Sequence, residues 1–209
     1  MVKVFSFCLY GMKDKYNKGM LKNIELINKE FPDFEIWVYI GEDITILNEL
    51  QENKSVKCIF TGKLGHENMS YRFFAIDNPD VEIAIVRDAD SRVYSRDVRF
   101  IKEFIGSDKL FHIIRDHPHH TAKIMGGMWA MKKGIDINIQ QLYMDEWKPF
   151  NNVSYFFNDS LFLRDVLYDK LNPEDCMFHI NYDINEKHFV GQVYLFDGDN
   201  EYTMYNYDA

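Results

Sequence analysis

Basic residues are in short supply: 24 Lys and Arg stand against 33 Asp and Glu, a formal net charge of −9. A general nucleic-acid binder needs a basic footprint to displace counterions, so that class is excluded, and anionic membrane surfaces are disfavoured for the same reason. Cysteine is scarce too, with only Cys8, Cys58 and Cys176. The count is odd and the spacing fits no metal site. Cys8 and Cys58 sit in apolar runs, which reads as buried, reduced thiols in a cytosol-like compartment. No stretch approaches the ~18 uninterrupted apolar residues of a membrane span. Met1 to Leu9 alternates like a strand and has no small-residue cleavage site, so a first strand is expected there and not a signal peptide. Internal repeats, linkers and low-complexity runs are missing as well. What is present is ordinary globular composition, 46% hydrophobic and 27% charged, which excludes disorder, collagen and coiled coil. A chain of 209 residues is expected to be a single domain that buries roughly 70% of its unfolded surface without a disulfide or metal staple.

Short apolar runs alternate with helix-period segments, the pattern of an α/β layer fold. The runs predict strands over Val2–Leu9, Phe34–Ile40, Val56–Phe60, Ile83–Val86 and Phe111–Ile114. A first helix is expected from Asp14 to Phe31, with Met20, Ile24, Ile27 and Phe31 as its buried stripe and Pro32-Asp33 as its stop. Further helices are expected over Glu67–Asp77 (stripe Met69, Phe73, Ile76), over Arg96–Ile105 (Val98, Ile101 and Ile105 inward), and from Asn158 onward with Leu161, Leu163, Val166 and Leu167. A hairpin is expected around Asp197-Gly198.

The strongest local signal is Ile83-Ala84-Ile85-Val86-Arg87-Asp88-Ala89-Asp90-Ser91. An almost wholly apolar run reads as a central buried strand, and two acids stand immediately beyond its end. Ligands of open α/β sheets bind at the carboxyl ends of strands. Isolated carboxylates cannot be buried there without a partner. Two of them one residue apart favour a hard divalent cation, magnesium or manganese, which takes oxygen ligands and fills its shell with substrate phosphates. The cation turns repulsion between the acids and a diphosphate into a bridge. An ordinary surface turn is the alternative.

An apolar strand followed by Asp-x-Asp in mid-chain resembles the metal site of GT-A fold glycosyltransferases. The run Ser70-Tyr71-Arg72-Phe73-Phe74-Ala75-Ile76-Asp77-Asn78-Pro79-Asp80, leading into Val86-Arg87-Asp88-Ala89-Asp90-Ser91-Arg92, is similar to a narrower group of small nucleotide-sugar transferases of bacteria and large DNA viruses. Arg115-Asp116-His117-Pro118 with Ile124-Met125-Gly126-Gly127-Met128-Trp129 extends the likeness, and Phe189-Val190-Gly191-Gln192 adds a weaker segment. The resemblance implies a Rossmann-like mixed sheet flanked by helices, a GT-A-like single domain. Within it, residues 1–92 would bind nucleotide and residues 110–195 sugar and acceptor. The implied reaction is metal-dependent transfer of a sugar, with retention, from a nucleoside diphosphate, UDP above all, to a hydroxyl of a glycan acceptor. The implied location is cytoplasmic, in the host if the chain is viral.

The resemblance also implies roles. Phe7, Leu9, Tyr10 and Gly11 would form the nucleotide floor, with Tyr10 stacking on the base and Gly11 allowing close backbone approach. Asp88, Ala89 and Asp90 would lie at the diphosphate, the two acids holding Mn2+ or Mg2+ with His188 as a third ligand. Asp159 and Asp116 are the catalytic candidates, for either could serve as general base if the enzyme inverts. If it retains, Asp159 would orient the sugar. Gly126 and Gly127 would let the backbone approach the sugar, Trp129 would form its platform, and His117 would line the acceptor pocket. Arg72 stands about 60° from the Met69/Phe73/Ile76 stripe on a helix, so its guanidinium needs an anion, either Asp88 or a phosphate. A structural ion pair is the alternative for Arg72, helix capping for Asp159, and a tightly packed strand for the two glycines. Two other functions fit parts of the pattern. A haloacid dehalogenase-type phosphatase uses a strand followed by Asp-x-Asp, though at its first strand. A non-catalytic carbohydrate-binding module would bind metal and sugar without nucleotide.

Overall fold

The computed structural model describes residues 1–41, 43–116, 120, 122–148 and 158–180, together with the backbone of 192–195. Its strands are β1 (Val2–Leu9), β2 (Phe34–Ile40), β3 (Val56–Phe60), β4 (Val81–Arg87), β5 (Phe111–Arg115), β6 (Met128–Lys132), β7 (Cys176–Ile180) and β8 (Gln192–Leu195). The helices are α1 (Asp14–Glu30), α2 (Leu47–Glu52), α3 (Ser95–Gly106), α4 (Ile139–Leu142) and α5 (Asn158–Phe162), with a long 3₁₀ segment over Gly65–Asp77. The five expected strands form, two of them longer than the apolar runs: β4 extends the fourth at both ends and β5 the fifth by Arg115.

The eight strands make one mixed sheet in the order β3-β2-β1-β4-β6-β5-β7-β8. Strands β3, β2, β1 and β4 run parallel, β6 is antiparallel to both of its neighbours, and β5, β7 and β8 are parallel again. The chain steps outward from β1 to β2 and β3, then returns to lay β4 on the other side of β1. That reversal is a topological switch point, and it opens a crevice beyond the carboxyl ends of β1 and β4.

Both sheet faces are covered. On one, Phe5, Phe7 and Leu9 of β1 and Ile83 and Ile85 of β4 pack against Met20, Ile24 and Ile27 of α1 and Val98, Ile101 and Phe104 of α3. On the other, Val4, Ala84 and Val86 meet Phe73 and Ile76 of the 3₁₀ segment and Phe162, Leu163 and Leu167 of the C-terminal helical stretch. Period-two alternation therefore sends Phe7 to the α1 side, and Ser6 and Cys8 to the side of the 3₁₀ segment.

The expected α-helix over Glu67–Asp77 is a 3₁₀ helix beginning at Gly65, a form seldom sustained so long. Its residues 68, 70 and 72–76 are all buried; an element sunk into the core from several sides lacks the single polar face that a 3.6-residue stripe presumes. The expected helix from Asn158 tightens and widens along its length: α5 gives way to a π-type turn over Leu163–Leu167 and a 3₁₀ turn over Tyr168–Lys170. Among the described residues no helix is long and apolar enough to cross a membrane. The hairpin expected at Asp197-Gly198 lies outside the described residues.

Candidate active site

At the switch point a cavity of about 190 Å³ is lined by Cys8, Leu9, Tyr10, Tyr16, Met69, Arg72, Asp88, Ala89 and Asp90. β1 supplies its floor, and the turn after β4 supplies both acids. That turn is held from behind by α1. Asn23, fully buried, donates from Nδ2 to the Ser91 carbonyl at 2.9 Å and to the Ala89 carbonyl at 3.4 Å, while its Oδ1 accepts from the Val93 amide at 3.1 Å. Gly19, one turn earlier, lies so close that an added Cβ would run into the Ala89 carbonyl and the Arg92 guanidinium. The backbone of the turn that carries Asp88 and Asp90 is thereby fixed without any ligand.

Arg72 is the centre of the cluster. Its side chain is 1% exposed, and Nη2 lies 2.8 Å from Asp159 Oδ2 and 3.1 Å from Asp88 Oδ1. Nη1 donates to the Met69 carbonyl at 2.5 Å and to Cys8 Sγ at 3.2 Å. The Arg72 carbonyl accepts from Ser6 Oγ at 2.6 Å. A guanidinium buried this deeply would be untenable unpaired; two carboxylates and a carbonyl hold it. Asp88 keeps 42% of its side chain open to the crevice. The surrounding protein, then Asp90 and Asp159, push its carboxyl upward, while Arg72 pulls it down. Asp90, 33% exposed, pairs with Lys15 Nζ at 2.9 Å. Burial works against the Lys15 charge, yet the bond to Asp90 raises its affinity for the proton. The Cys8 thiol is pushed up to about 11 by burial, partly offset by Arg72, so it stays protonated.

Gly126 and Gly127 belong to the same cluster. A Cβ on Gly127 would overlap the Asp88 carboxylate and its backbone nitrogen, and one on Gly126 would stand 2.9 Å from Arg72 Nη2 and 3.2 Å from Asp159 Oδ2. The glycines make room for the Asp88–Arg72–Asp159 network; the close approach they permit is to these side chains.

Several expected site residues lie elsewhere. Trp129 is 1% exposed, stacked on Phe111 at 5.3 Å and edge-on to Phe73. An indole sealed in the core offers a sugar no face, so the platform role is withdrawn. Phe7 is fully buried against α1 and forms no part of the cavity wall. Asp116 is fully buried, with Oδ2 2.8 Å from Arg96 Nη2 and Oδ1 2.8 Å from His120 Nδ1. Burial raises this carboxyl, but the His120 hydrogen bond and Arg96 hold it below the usual carboxylate range. With both oxygens engaged and no place in the cavity wall, it is unsuited to deprotonating an acceptor. Leu9, Tyr10, Ala89, Asp88, Asp90 and Arg72 do line the cavity, and Gly11 follows with φ of +72°. His117 and His188 lie outside the described residues.

Three cavity residues had no place in the sequence reading of the site, Cys8, Tyr16 and Met69; nor did His66, which stands behind the wall and shares a 2.9 Å hydrogen bond with Tyr10. The period of two in β1 would have placed Cys8 on the face of Arg72; Tyr16 and His66 carried no comparable signal. Among the described residues no group of three or more His, Cys, Asp and Glu could hold a metal ion. Asp88 and Asp90 do offer two hard oxygen donors beside one cavity, which fits a cation whose remaining positions belong to phosphate oxygens and water.

No family model and no curated protein matches the chain. Its structure is similar to that of a glycosyltransferase involved in the glycosylation of the major capsid of PBCV-1, with a TM-score of 0.55, 13% identity, and coverage of 86% of this chain and 82% of that one. It is also similar to the mannosyltransferase PcManGT from Pyrobaculum calidifontis, in complex with GDP-Man and Mn2+, with a TM-score of 0.47, 14% identity and coverage of 76% and 49%. A third likeness is to residues 1–349 of TarS from S. aureus, with a TM-score of 0.47, 13% identity and coverage of 78% and 54%. The first of these, together with the sheet order and the flanking helices, establishes the fold as a single GT-A-like α/β domain, as the motifs implied.

Proposed function

We propose that the protein is a metal-dependent glycosyltransferase that moves a sugar from a nucleoside diphosphate, UDP in the first instance, to a hydroxyl of a glycan acceptor. The observation that carries this reading is the convergence of Asp88, Asp90 and Arg72 on one cavity at the switch point. Asp88 and Asp90 would hold Mn2+ or Mg2+, which when bound neutralises the diphosphate and stabilises it as a leaving group. Leu9, Tyr10 and Tyr16 would wall the nucleoside, with Gly11 opening the backbone beside it. Arg72 keeps Asp88 aimed into the cavity, and Asp159 anchors Arg72.

The same geometry favours retention. Asp159 is 3% exposed and does not line the cavity, with Oδ2 held by Arg72 and Oδ1 by the Ser160 amide at 2.7 Å, so it presents no oxygen to an acceptor hydroxyl. In the reaction the bond from the anomeric carbon to the donor phosphate oxygen breaks as the acceptor oxygen bonds to that carbon. A diphosphate oxygen takes the acceptor proton, which requires attack from the leaving-group face. Asp159 is then a positioning residue that acts through Arg72. The phosphatase alternative is not favoured: Asp88 follows β4 and is paired with Arg72, which restrains it as a nucleophile.

Calorimetry with UDP, with and without Mn2+, tests the reading. Binding that requires Mn2+ and falls at least tenfold in Asp90→Asn, while the thermal midpoint of the apo protein shifts little, is expected. UDP binding indifferent to Mn2+ and to Asp90 would sink it. Nucleotide sugars ranked by thermal shift, followed by product analysis on simple acceptors, then identify base, sugar and anomeric outcome.

A further inference from the structure

Two cations face the acidic cluster, and they are held in opposite ways. Arg72 is sealed, 1% exposed and fixed by Asp88, Asp159 and the Met69 carbonyl. Lys15, in the first turn of α1, has a side chain 38% exposed and contacts Asp90 Oδ2 at 2.9 Å. Its ammonium also rides over the ring of Tyr16 at 4.5 Å, and Tyr16 is part of the cavity wall. A half-open pair of this kind is weak, so it can part readily. The lysine stem is flexible enough to carry its charge to another oxygen nearby.

The charges give that freedom a use. Asp88, Asp90 and Asp159 carry three negative charges against the two positive charges of Arg72 and Lys15, so the resting cluster is short of neutrality by one. A divalent cation turns the sum to one positive, an attractive site for a diphosphate. Without Lys15 the loaded cluster would be merely neutral.

We propose that Lys15 is an exchangeable counterion: it neutralises Asp90 while the carboxylate pair is unloaded, and binds a donor phosphate oxygen once Asp90 turns to the cation. The inference rests on the donor-binding reading above and adds to it a phosphate ligand that also competes with metal. It predicts effects of opposite sign from one substitution. In Lys15→Met, affinity for Mn2+ alone should rise about two- to fivefold, because a competitor worth up to about 1 kcal/mol is gone. Affinity for UDP in saturating Mn2+ should fall about tenfold or more, the loss of a charge-assisted bond to phosphate.

Lys18→Met is the control. It removes the same charge from α1, but Lys18 pairs with exposed Asp14 at 2.7 Å, so both affinities should stay close to wild type. Both constants are read by calorimetry on the intact protein. Opposite shifts in Lys15→Met alone support the exchange. Unchanged UDP affinity, shifts of the same sign, or equal effects in Lys18→Met overturn it while leaving the transferase reading in place. A wild-type protein that binds no UDP in Mn2+ overturns both.

Discussion

Arg72 serves two ends that a substitution can separate. Removing its charge leaves Asp159, 3% exposed, as a buried carboxylate without its counterion. Breaking a buried pair from one side costs roughly 3–5 kcal/mol, whereas replacing both partners with apolar groups of similar volume is often neutral. Arg72→Met should therefore lower unfolding free energy by roughly that amount in urea titrations, and Arg72→Met/Asp159→Leu should recover much of it. Metal-dependent UDP binding should be lost in both, because Asp88 has lost its restraint in each. Recovery of binding along with stability in the double variant would show Arg72 to be purely structural. Half of this cluster was legible beforehand. An arginine at the margin of an apolar stripe needs an anion, and Asp88 stood within reach of the strand end. Its second partner, Asp159, lies 87 positions away, and no local pattern joins the two. Trp129 was misplaced because an aromatic residue after two glycines looks the same in sequence whether it faces a ligand or the Phe73 and Phe111 rings.

At the scale of elements, α1 shows two sequence rules in competition. Gly→Ala within a helix normally stabilises by about 0.8–1 kcal/mol. At Gly19 the methyl would strike the Ala89 carbonyl, a backbone atom that cannot swing aside, along with the Arg92 guanidinium. Overpacking of this kind costs about 1–3 kcal/mol, so the steric term wins and Gly19→Ala should destabilise despite better helix propensity. It should also weaken Mn2+ binding, because α1 can relieve the clash only by displacing the turn that carries Asp88 and Asp90. A thermal midpoint that rises, with metal affinity unchanged, would refute the close packing of α1 on this turn. Gly19 and Asn23 could have been noticed as small and polar residues beside the Met20/Ile24/Ile27 stripe, one turn apart. Elsewhere, element legibility followed composition. β1 to β5 were visible because Val, Ile and Phe runs bounded by turn residues leave little choice. β6, Met128-Trp129-Ala130-Met131-Lys132, has no β-branched residue, and β7, Cys176-Met177-Phe178-His179-Ile180, carries a histidine in its middle; neither announces itself as a strand.

That histidine shapes the stability of the whole molecule. His112 of β5 and His179 of β7 are fully buried, with His112 Nε2 2.6 Å from His179 Nδ1 and His179 Nε2 2.8 Å from Glu103 Oε2 on α3. His179 Nε2–H donates to the carboxylate, so its Nδ1 must accept from His112 Nε2–H, and His112 Nδ1 is left without a partner. This chain of bonds suits two neutral rings: charging His112 would bury a cation whose Nδ1–H has no acceptor, and charging His179 would force the His112 proton onto that same unpartnered Nδ1. Burial depresses His112 well below the ordinary histidine value, helped by His179, Arg87 and Lys132. Burial also depresses His179, against the raising effect of Glu103. Groups depressed in the fold bind protons more readily when unfolded, so stability falls as pH drops below about 6.5, the unfolded histidine value. Each ring kept neutral removes up to ~1.4 kcal/mol per pH unit below that point. Relief of the net charge of −9 on acidification, and the Asp77, Asp88 and Asp97 carboxyls that burial raises, act in the opposite direction; surface charges are screened beyond about 8 Å at physiological ionic strength, and the two buried rings should dominate as long as those carboxyls stay ionised. Unfolding free energy measured between about pH 6.5 and 5 should thus decline with pH, and His112→Gln should reduce that slope by up to half, whatever it does to the absolute stability. A slope identical in wild type and variant would mean that the pair already carries a proton at neutral pH, and that Glu103 outweighs burial.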